Sequence, residues 1–120
     1  METPHSGLGH LRIVLSDKAY VGPGRADLLE GIARTGSISA AGKAMGMSYK
    51  RAWSLVQALN EGFGKPLVET ARGGAAQGGA FLTPVGDEVL ARYRAMQRAT
   101  EVAIADDVAA LRALASDISR

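Results

Sequence analysis

Two short helical patterns joined by Gly46-Met47-Ser48 constrain this 120-residue chain more than any other feature. Ala40, Ala41, Gly42 and Ala44 precede the turn, and Ala52, Leu55, Val56 and Leu59 recur at helical spacing after it. A three-residue link containing glycine has the length and composition of a helix-turn-helix. The small residues of the first helix allow the second to approach closely. Ser39 is expected to cap the first helix by accepting from the amide of Ala41 or Gly42, with Met45 its last residue and Gly46 its terminator. Ser48 is expected to cap the second helix, predicted from Tyr49 to about Glu61.

At 100° per residue the second helix divides into faces. Ala52, Leu55, Val56 and Leu59 form the core side, Lys50, Ser54 and Gln57 fall opposite, and Arg51 and Trp53 occupy the flanks. Any surface helix needs a polar outer face, so Ser54 and Gln57 alone carry little information. Trp53 is less ordinary. A large aromatic off the apolar stripe is expected to pack into a neighbouring groove in preference to reading a base.

Charge is distributed unevenly around this motif. From Arg34 to Arg72 there are six cations and two anions, while the whole chain carries 14 cations and 12 anions. A basic middle with an acidic remainder is the footprint of a face that meets a polyanion. An ordinary solvated surface explains the charge alone equally well.

The flanking segments complete a recognisable order. Leu11 to Leu15 and Ala19 to Val21 read as a hairpin about the turn Ser16-Asp17-Lys18, ended by Gly22-Pro23-Gly24. Leu28, Leu29, Ile32 and Ala33 then mark a helix that Thr35-Gly36 stops. After the helix-turn-helix, strands at Leu67 to Thr70 and Ala80 to Thr83 flank a glycine-rich tip, which describes a wing. A phosphate cradle is the rival reading of such a loop, but neither GxxxxGK[ST] nor GxGxxG occurs and a strand follows. Thr83 and Pro84 open a final helix, with Asp87 and Glu88 near its positive end. Val85, Val89, Tyr93 and Met96 form its first apolar stripe, expected to close the core. Ile104, Val108, Leu111, Ala115 and Ile118 form a later, offset stripe at 4-3-4-3 spacing, most simply buried against a second copy.

Composition excludes several classes. Apolar residues make up 47% and charged residues 22%, as in soluble globular domains. No run approaches the ~18 apolar residues of a membrane span, and Met1 to His10 has neither a basic n-region nor an apolar h-region, so no membrane partner and a cytoplasmic location are expected. Without cysteine there is no disulfide framework, thiolate zinc site or cysteine nucleophile. His5 and His10 lie in what reads as a mobile tail over residues 1–10, so neither metal nor cofactor is expected. No nucleophile elbow, no histidine in the folded region and no paired carboxylates argue against an enzyme.

Ser48-Tyr49-Lys50-Arg51-Ala52-Trp53, with a wing of Gly73-Gly74 and Gly78-Gly79-Ala80 followed by Phe81-Leu82-Thr83, resembles the N-terminal DNA-binding domain of the ModE family of molybdate-responsive regulators. Thr35-Gly36-Ser37-Ile38-Ser39-Ala40-Ala41 and Leu82-Thr83-Pro84-Val85-Gly86 are similar to LysR-type domains more broadly. The resemblance covers roughly Leu11 to Ala103. It implies a homodimer on a palindromic operator in double-stranded DNA, with recognition helices in successive major grooves and wings over the adjacent backbone or minor groove. The recognition segment then falls on Tyr49, Lys50, Arg51, Trp53 and Ser54, and the wing on Arg72 to Gln77. Full-length members continue into a domain that binds molybdate or tungstate, and this chain is expected to lack it.

The expected fold is mainly α with a small β wing: a winged helix-turn-helix over 11–84 and a long C-terminal dimerisation helix over 85–120. The candidate DNA-contacting set is Arg34, Ser37, Ser39, Lys43, Ser48, Tyr49, Lys50, Arg51, Trp53, Ser54, Gln57 and Arg72. Lys50 and Arg51 are placed for base edges or flanking phosphates, and Arg34, Lys43 and Arg72 for phosphates. The expected function is regulation of molybdenum uptake or molybdenum-enzyme genes. The alternative is a winged-helix adaptor that binds another regulator and leaves oxyanion sensing to a separate protein.

Overall fold

The computed structural model describes residues 7–71 and 79–115. Strands β1 (Ile13–Val14) and β2 (Tyr20–Val21) form a hairpin, followed by helices α1 (Pro23–Thr35), α2 (Ile38–Ala44) and α3 (Tyr49–Phe63). Strands β3 (Val68–Thr70) and β4 (Ala80–Leu82) form a second antiparallel hairpin, and α4 (Pro84–Leu114) ends the described chain. This is the expected fold class. Among the described residues no helix is long and apolar enough to cross a membrane.

The core lies where α1, α2 and α3 meet the base of the second hairpin. Leu28, Leu29 and Ile32 of α1 pack with Ile38 and Ala41 of α2, Ala52, Val56 and Leu59 of α3, and Leu67 and Val68. Small residues set the helix spacing. A Cβ added to Gly31 would stand 3.0 Å from that of Ala41, and one added to Gly42 would stand 2.8 Å from that of Ala52.

Several boundaries differ from those the sequence suggests. The cap of α2 is Ser37, not Ser39: Ser37 is extended at φ −151° and its hydroxyl accepts from the Ala40 amide at 3.0 Å. Gly36, left-handed at φ 73°, ends α1 so tightly that α2 begins at once, which buries Ile38 and leaves Ser39 exposed in the first turn. Pro23 sits at the first helical position of α1, where its missing N–H costs nothing, instead of standing before the helix. α3 runs on to Phe63 and stops at Gly64, left-handed at φ 71°. The first hairpin pairs only Ile13 with Val21 and Val14 with Tyr20. Its Tyr20 ring lies between the guanidinium groups of Arg12 and Arg25, at 3.9 and 3.8 Å from the centroid. The segment expected as a tail is described from Gly7, which lies against the Val108 side chain.

Thr83 fixes where α4 begins. Its hydroxyl accepts from the Gly86 amide at 3.0 Å and donates to the Pro66 carbonyl at 2.7 Å, while its own amide donates to Leu67. Gly86 faces the Leu67 carbonyl so closely that no side chain fits. Tyr93 is fully enclosed and donates from its phenol to the Leu11 carbonyl at 2.7 Å. Arg94 bridges α4 to α1, donating to Asp27 at 2.8 Å and to Glu30 at 2.7 Å.

The stripes of α4 are arranged differently from expectation. Of Val85, Val89, Tyr93 and Met96, Tyr93 is buried and Val89 half-buried, whereas Val85 and Met96 border an open apolar groove with Leu15 and Phe63. Gly86 and Leu90 close the core in their place. The later stripe is in register with Tyr93, not offset from it. Leu111 lies five helical turns beyond Tyr93, and Ile104 five turns beyond Gly86. The same face that packs on the domain therefore continues past it.

Gly86→Ala drives a methyl group into the Leu67 carbonyl and is expected to lower stability by about 1–3 kcal/mol, measured by urea unfolding. Burial of the Tyr93 ring pushes its phenol above the ordinary tyrosine value, and Asp27 adds to this while Arg94 and Gln97 oppose it. A group harder to ionise when folded gives its full contribution below the unfolded value, about 10, and loses it as pH rises through the folded one. Tyr93→Phe should therefore cost about 0.5–1.5 kcal/mol near neutrality and flatten the loss of stability above pH ~10. Thermal melts across pH 7–11 test this.

Candidate nucleic-acid interface

The turn between α2 and α3 is closed by the carbonyls of Gly42 and Lys43, the latter accepting from the Gly46 amide at 3.0 Å. Gly42 accepts from the amides of Met45 and Met47, both at 3.0 Å, and Gly46 adopts φ 74° to let the chain reverse. Ser48 then caps α3 as expected, its hydroxyl accepting from the Arg51 amide at 3.1 Å. Such a cap is worth about 1 kcal/mol. It also frees the first turn of α3 from any need for acidic side chains, and none is present there.

Ala52, Val56 and Leu59 are buried, so the opposite face of α3 is turned to solvent. Lys50, Arg51, Ser54 and Gln57 are all exposed on it or beside it. Neither Lys50 nor Arg51 takes part in an ion pair among the described residues, and Lys43 on α2 is likewise exposed and unpaired there. The result is a cationic helix end with no ion-pair partner among the described residues.

Ser37 and Ser48 have their oxygens engaged in capping, which leaves each hydroxyl proton free to donate outward. Ser39 is exposed within α2. Arg34 sits apart from α3: it borders a hollow between α1 and α2 together with Asp27, Glu30, Thr35 and Met45, to which no α3 residue contributes. Arg72 and the wing tip to Gly78 lie outside the described residues.

Trp53 does border a groove, as its flank position suggests, yet it remains 36% exposed. Its ring stacks on that of Tyr49, centroids 6.5 Å apart and planes 12° apart. With Val56, Gln57, Asn60, Val68, Glu69 and Thr70 it lines a cleft of about 320 Å³ between α3 and β3. Asn60 holds that cleft at a fixed width. Its Oδ1 accepts from the amides of Leu67 at 2.8 Å and Val68 at 3.3 Å, and its Nδ2 donates to the Val68 carbonyl at 3.1 Å. Sequence reasoning passed over Asn60, although a carboxamide one turn after Val56 and beside the apolar stripe was a signal for such a tether.

The base of the wing is fixed from two sides. Val68 pairs with Leu82, Glu69 with Phe81 and Thr70 with Ala80, and the Ala71 amide extends the ladder to Gly79 at 2.8 Å. The Ala80 amide donates to the Gly36 carbonyl at 2.9 Å, joining β4 to the end of α1. No group of three or more potential metal ligands occurs among the described residues.

Comparison with known proteins agrees with this geometry. The profile of the bacterial regulatory helix-turn-helix proteins of the lysR family matches residues 25–87. The chain is 51% identical over 79 residues to the molybdenum-pterin-binding protein MopB of Rhodobacter capsulatus, covering 66% of this chain and 29% of that protein. It is 39% identical over 114 residues to the DNA-binding transcriptional dual regulator ModE of Escherichia coli K12, covering 92% of this chain and 44% of that one. The chain thus spans less than half the length of these relatives. Among solved structures, the LysR family transcriptional regulator VV2_1132 matches with a TM-score of 0.53 at 20% identity over 69% of this chain and 27% of that one, a likeness of fold. The chain belongs to the LysR-type bacterial regulatory helix-turn-helix proteins, and its winged helix-turn-helix is related to that of the ModE regulators.

Proposed function

We propose that this chain acts as a sequence-specific DNA-binding transcriptional regulator of the ModE type, controlling molybdenum uptake or molybdenum-enzyme genes. One observation carries the reading: Lys50 and Arg51 stand exposed on the first turn of α3, with no partner among the described ion pairs. In helix-turn-helix docking the N-terminal residues of the second helix reach base edges in the major groove. Lysine or arginine donating to guanine O6 and N7 is the commonest specific contact there. Lys43, Ser37 and Ser48 serve as phosphate contacts in this reading, and Ser54 and Gln57 face the groove further along α3. Arg34 and Arg72 add phosphate contacts from the α1 end and the wing.

A homodimer presents two such helices to a palindromic operator, with half-sites about 34 Å apart or a multiple of it. The distal half of α4 supplies the interface. Leu111 and Leu114 are 65% and 80% exposed, and Ile104 and Val108 are half-buried on the face that continues beyond the core, where Gly7 of the same chain lies against Val108. Ala115 ends the helix and Ile118 lies outside the described residues.

Fluorescence anisotropy on labelled DNA from upstream of the gene and its neighbours, against random duplex and across a salt series, tests the reading. Tight, salt-sensitive preference for one fragment is the expected result, and repeating it with molybdate asks whether this chain responds to the oxyanion. Equal binding to all duplexes overturns it in favour of the adaptor. Lys50→Ala should cost about 1–3 kcal/mol of discrimination at one base position, whereas Lys43→Ala should weaken all sequences alike and reduce the salt slope by about 1. Leu111→Glu is expected to yield monomers in sedimentation that hold a single half-site weakly; an unchanged dimer places the interface elsewhere.

A further inference from the structure

We propose that the cleft between α3 and β3, bordered by Trp53 with the Tyr49 ring stacked beside it, seats the deoxyribose-phosphate strand that divides the groove entered by α3 from the groove reached by the wing. The inference rests on the DNA-binding reading and assigns the aromatic pair a role within it: Trp53 packs on sugar and reads no base.

The direction of the side chains is the first ground. Lys50 and Ser54 lie opposite the buried stripe of α3, on the face that meets base edges, and Gln57 stands at the edge of that face, where it also borders the cleft. Trp53 is turned from that face toward β3, and Tyr49, one turn earlier, stacks on it. A helix lying in one groove and a wing over the next must have a strand of the duplex between them. The surface spanning α3 and β3 is this cleft.

Its chemistry fits a sugar-phosphate strand. The indole and phenol faces are half-exposed to well exposed and offer apolar area to the C–H faces of deoxyribose. The Trp53 indole N–H and the Tyr49 hydroxyl have no protein partner among the described residues, and both donate readily to phosphate oxygens. Glu69 lines the β3 wall, and Lys50 stands exposed on the other side of α3's first turn. A carboxylate repels phosphate and an ammonium attracts it. The phosphates are thereby directed away from the Glu69 wall and toward the basic start of α3, leaving the sugar against Trp53. Asn60 binds β3 to α3 through three hydrogen bonds, so the cleft is built before the strand arrives.

Trp53 is the only tryptophan in the chain, so its emission reports this site alone. Duplex is titrated onto the whole chain while labelled-DNA anisotropy records binding and acrylamide quenching records access to the indole. Quenching is expected to fall severalfold at saturation, equally for operator and random duplex, because every sequence carries the same sugar. Trp53→Ala should weaken both duplexes by the same factor, about tenfold for a loss near 1.4 kcal/mol, with their ratio unchanged. Glu69→Gln, an exposed substitution that leaves the α3 tether intact, should tighten both severalfold at low salt, the gain shrinking as salt screens it. Binding with unaltered quenching, a Trp53→Ala loss confined to the operator, or no gain from Glu69→Gln overturns the cleft while the DNA-binding reading stands. No anisotropy change with any duplex overturns that reading and the cleft with it.

Discussion

Gly42 and Ala52 meet at a distance that admits no further atom, since a Cβ on Gly42 would stand 2.8 Å from that of Ala52 and 3.4 Å from Met47. The position of α3 follows from this contact. With α2 held so near, the chain between them has to reverse within a few residues, and the Gly42 carbonyl itself accepts two of the three amides that close the turn. Ser48 is thereby placed at the mouth of α3, where its cap orders the first turn and points Lys50 and Arg51 outward. Gly31 against Ala41 repeats the device between α1 and α2 at 3.0 Å. Three helices locked through such contacts make a rigid base, because interiors packed to crystal-like density do not deform gradually.

Polar side chains carry that rigidity outward to the elements that hydrophobic packing holds least firmly. The wing is a two-stranded hairpin, and an isolated hairpin is marginal in water. Asn60 offsets this by taking two amides and one carbonyl of the 67–68 segment, and Gly36 by accepting from Ala80. Thr83 joins the same network from the other strand, tying the Pro66 and Leu67 carbonyls to the start of α4. Each of these bonds is worth only about 1 kcal/mol net, yet leaving the backbone groups of residues 66–68 unpaired would cost more than the bonds supply. Arg94 adds an exposed bridge to Asp27 and Glu30, whose contribution is small because all three groups remain partly in water.

How much of this was legible depended on whether the signal was local. Gly46, the Ser48 cap, the strands around the wing and the Thr83-Pro84 start of α4 follow from turn and cap chemistry that a few neighbouring residues decide. Hydroxyl residues at 37 and 39 satisfy the same local capping rule; burial of Ile38, a tertiary matter, selects Ser37 over Ser39. The α4 stripes differ from the sequence pattern for a related reason. Val85 and Met96 are apolar and helically spaced, but Gly86 is the residue that faces the core, and a glycine does not register as apolar pattern. Within the candidate site, exposure of Lys50, Arg51, Ser54 and Gln57 could be counted off a helix, whereas the cleft beside Trp53 required knowing that β3 returns alongside α3. Asn60 carries that return, and its pairing spans seven and eight residues.

The same locking explains why α4 can be long. Near its start it is held by Thr83, by Gly86 against Leu67, and by Tyr93, whose phenol reaches the Leu11 carbonyl. These contacts fix its direction over the first three turns, and a helix rises about 1.5 Å per residue. Residues beyond follow a line set by the buried part, along which Gly7 still meets Val108. Tyr93 and Leu111 share one face, so the orientation of the exposed stripe is inherited from the core and not chosen separately. A domain whose recognition helix, wing and projecting helix are all referred to one small-residue core transmits the placement of any one to the others. Two copies joined along α4 would therefore hold their α3 helices at a separation that the packing of Gly42 and Gly86 ultimately decides.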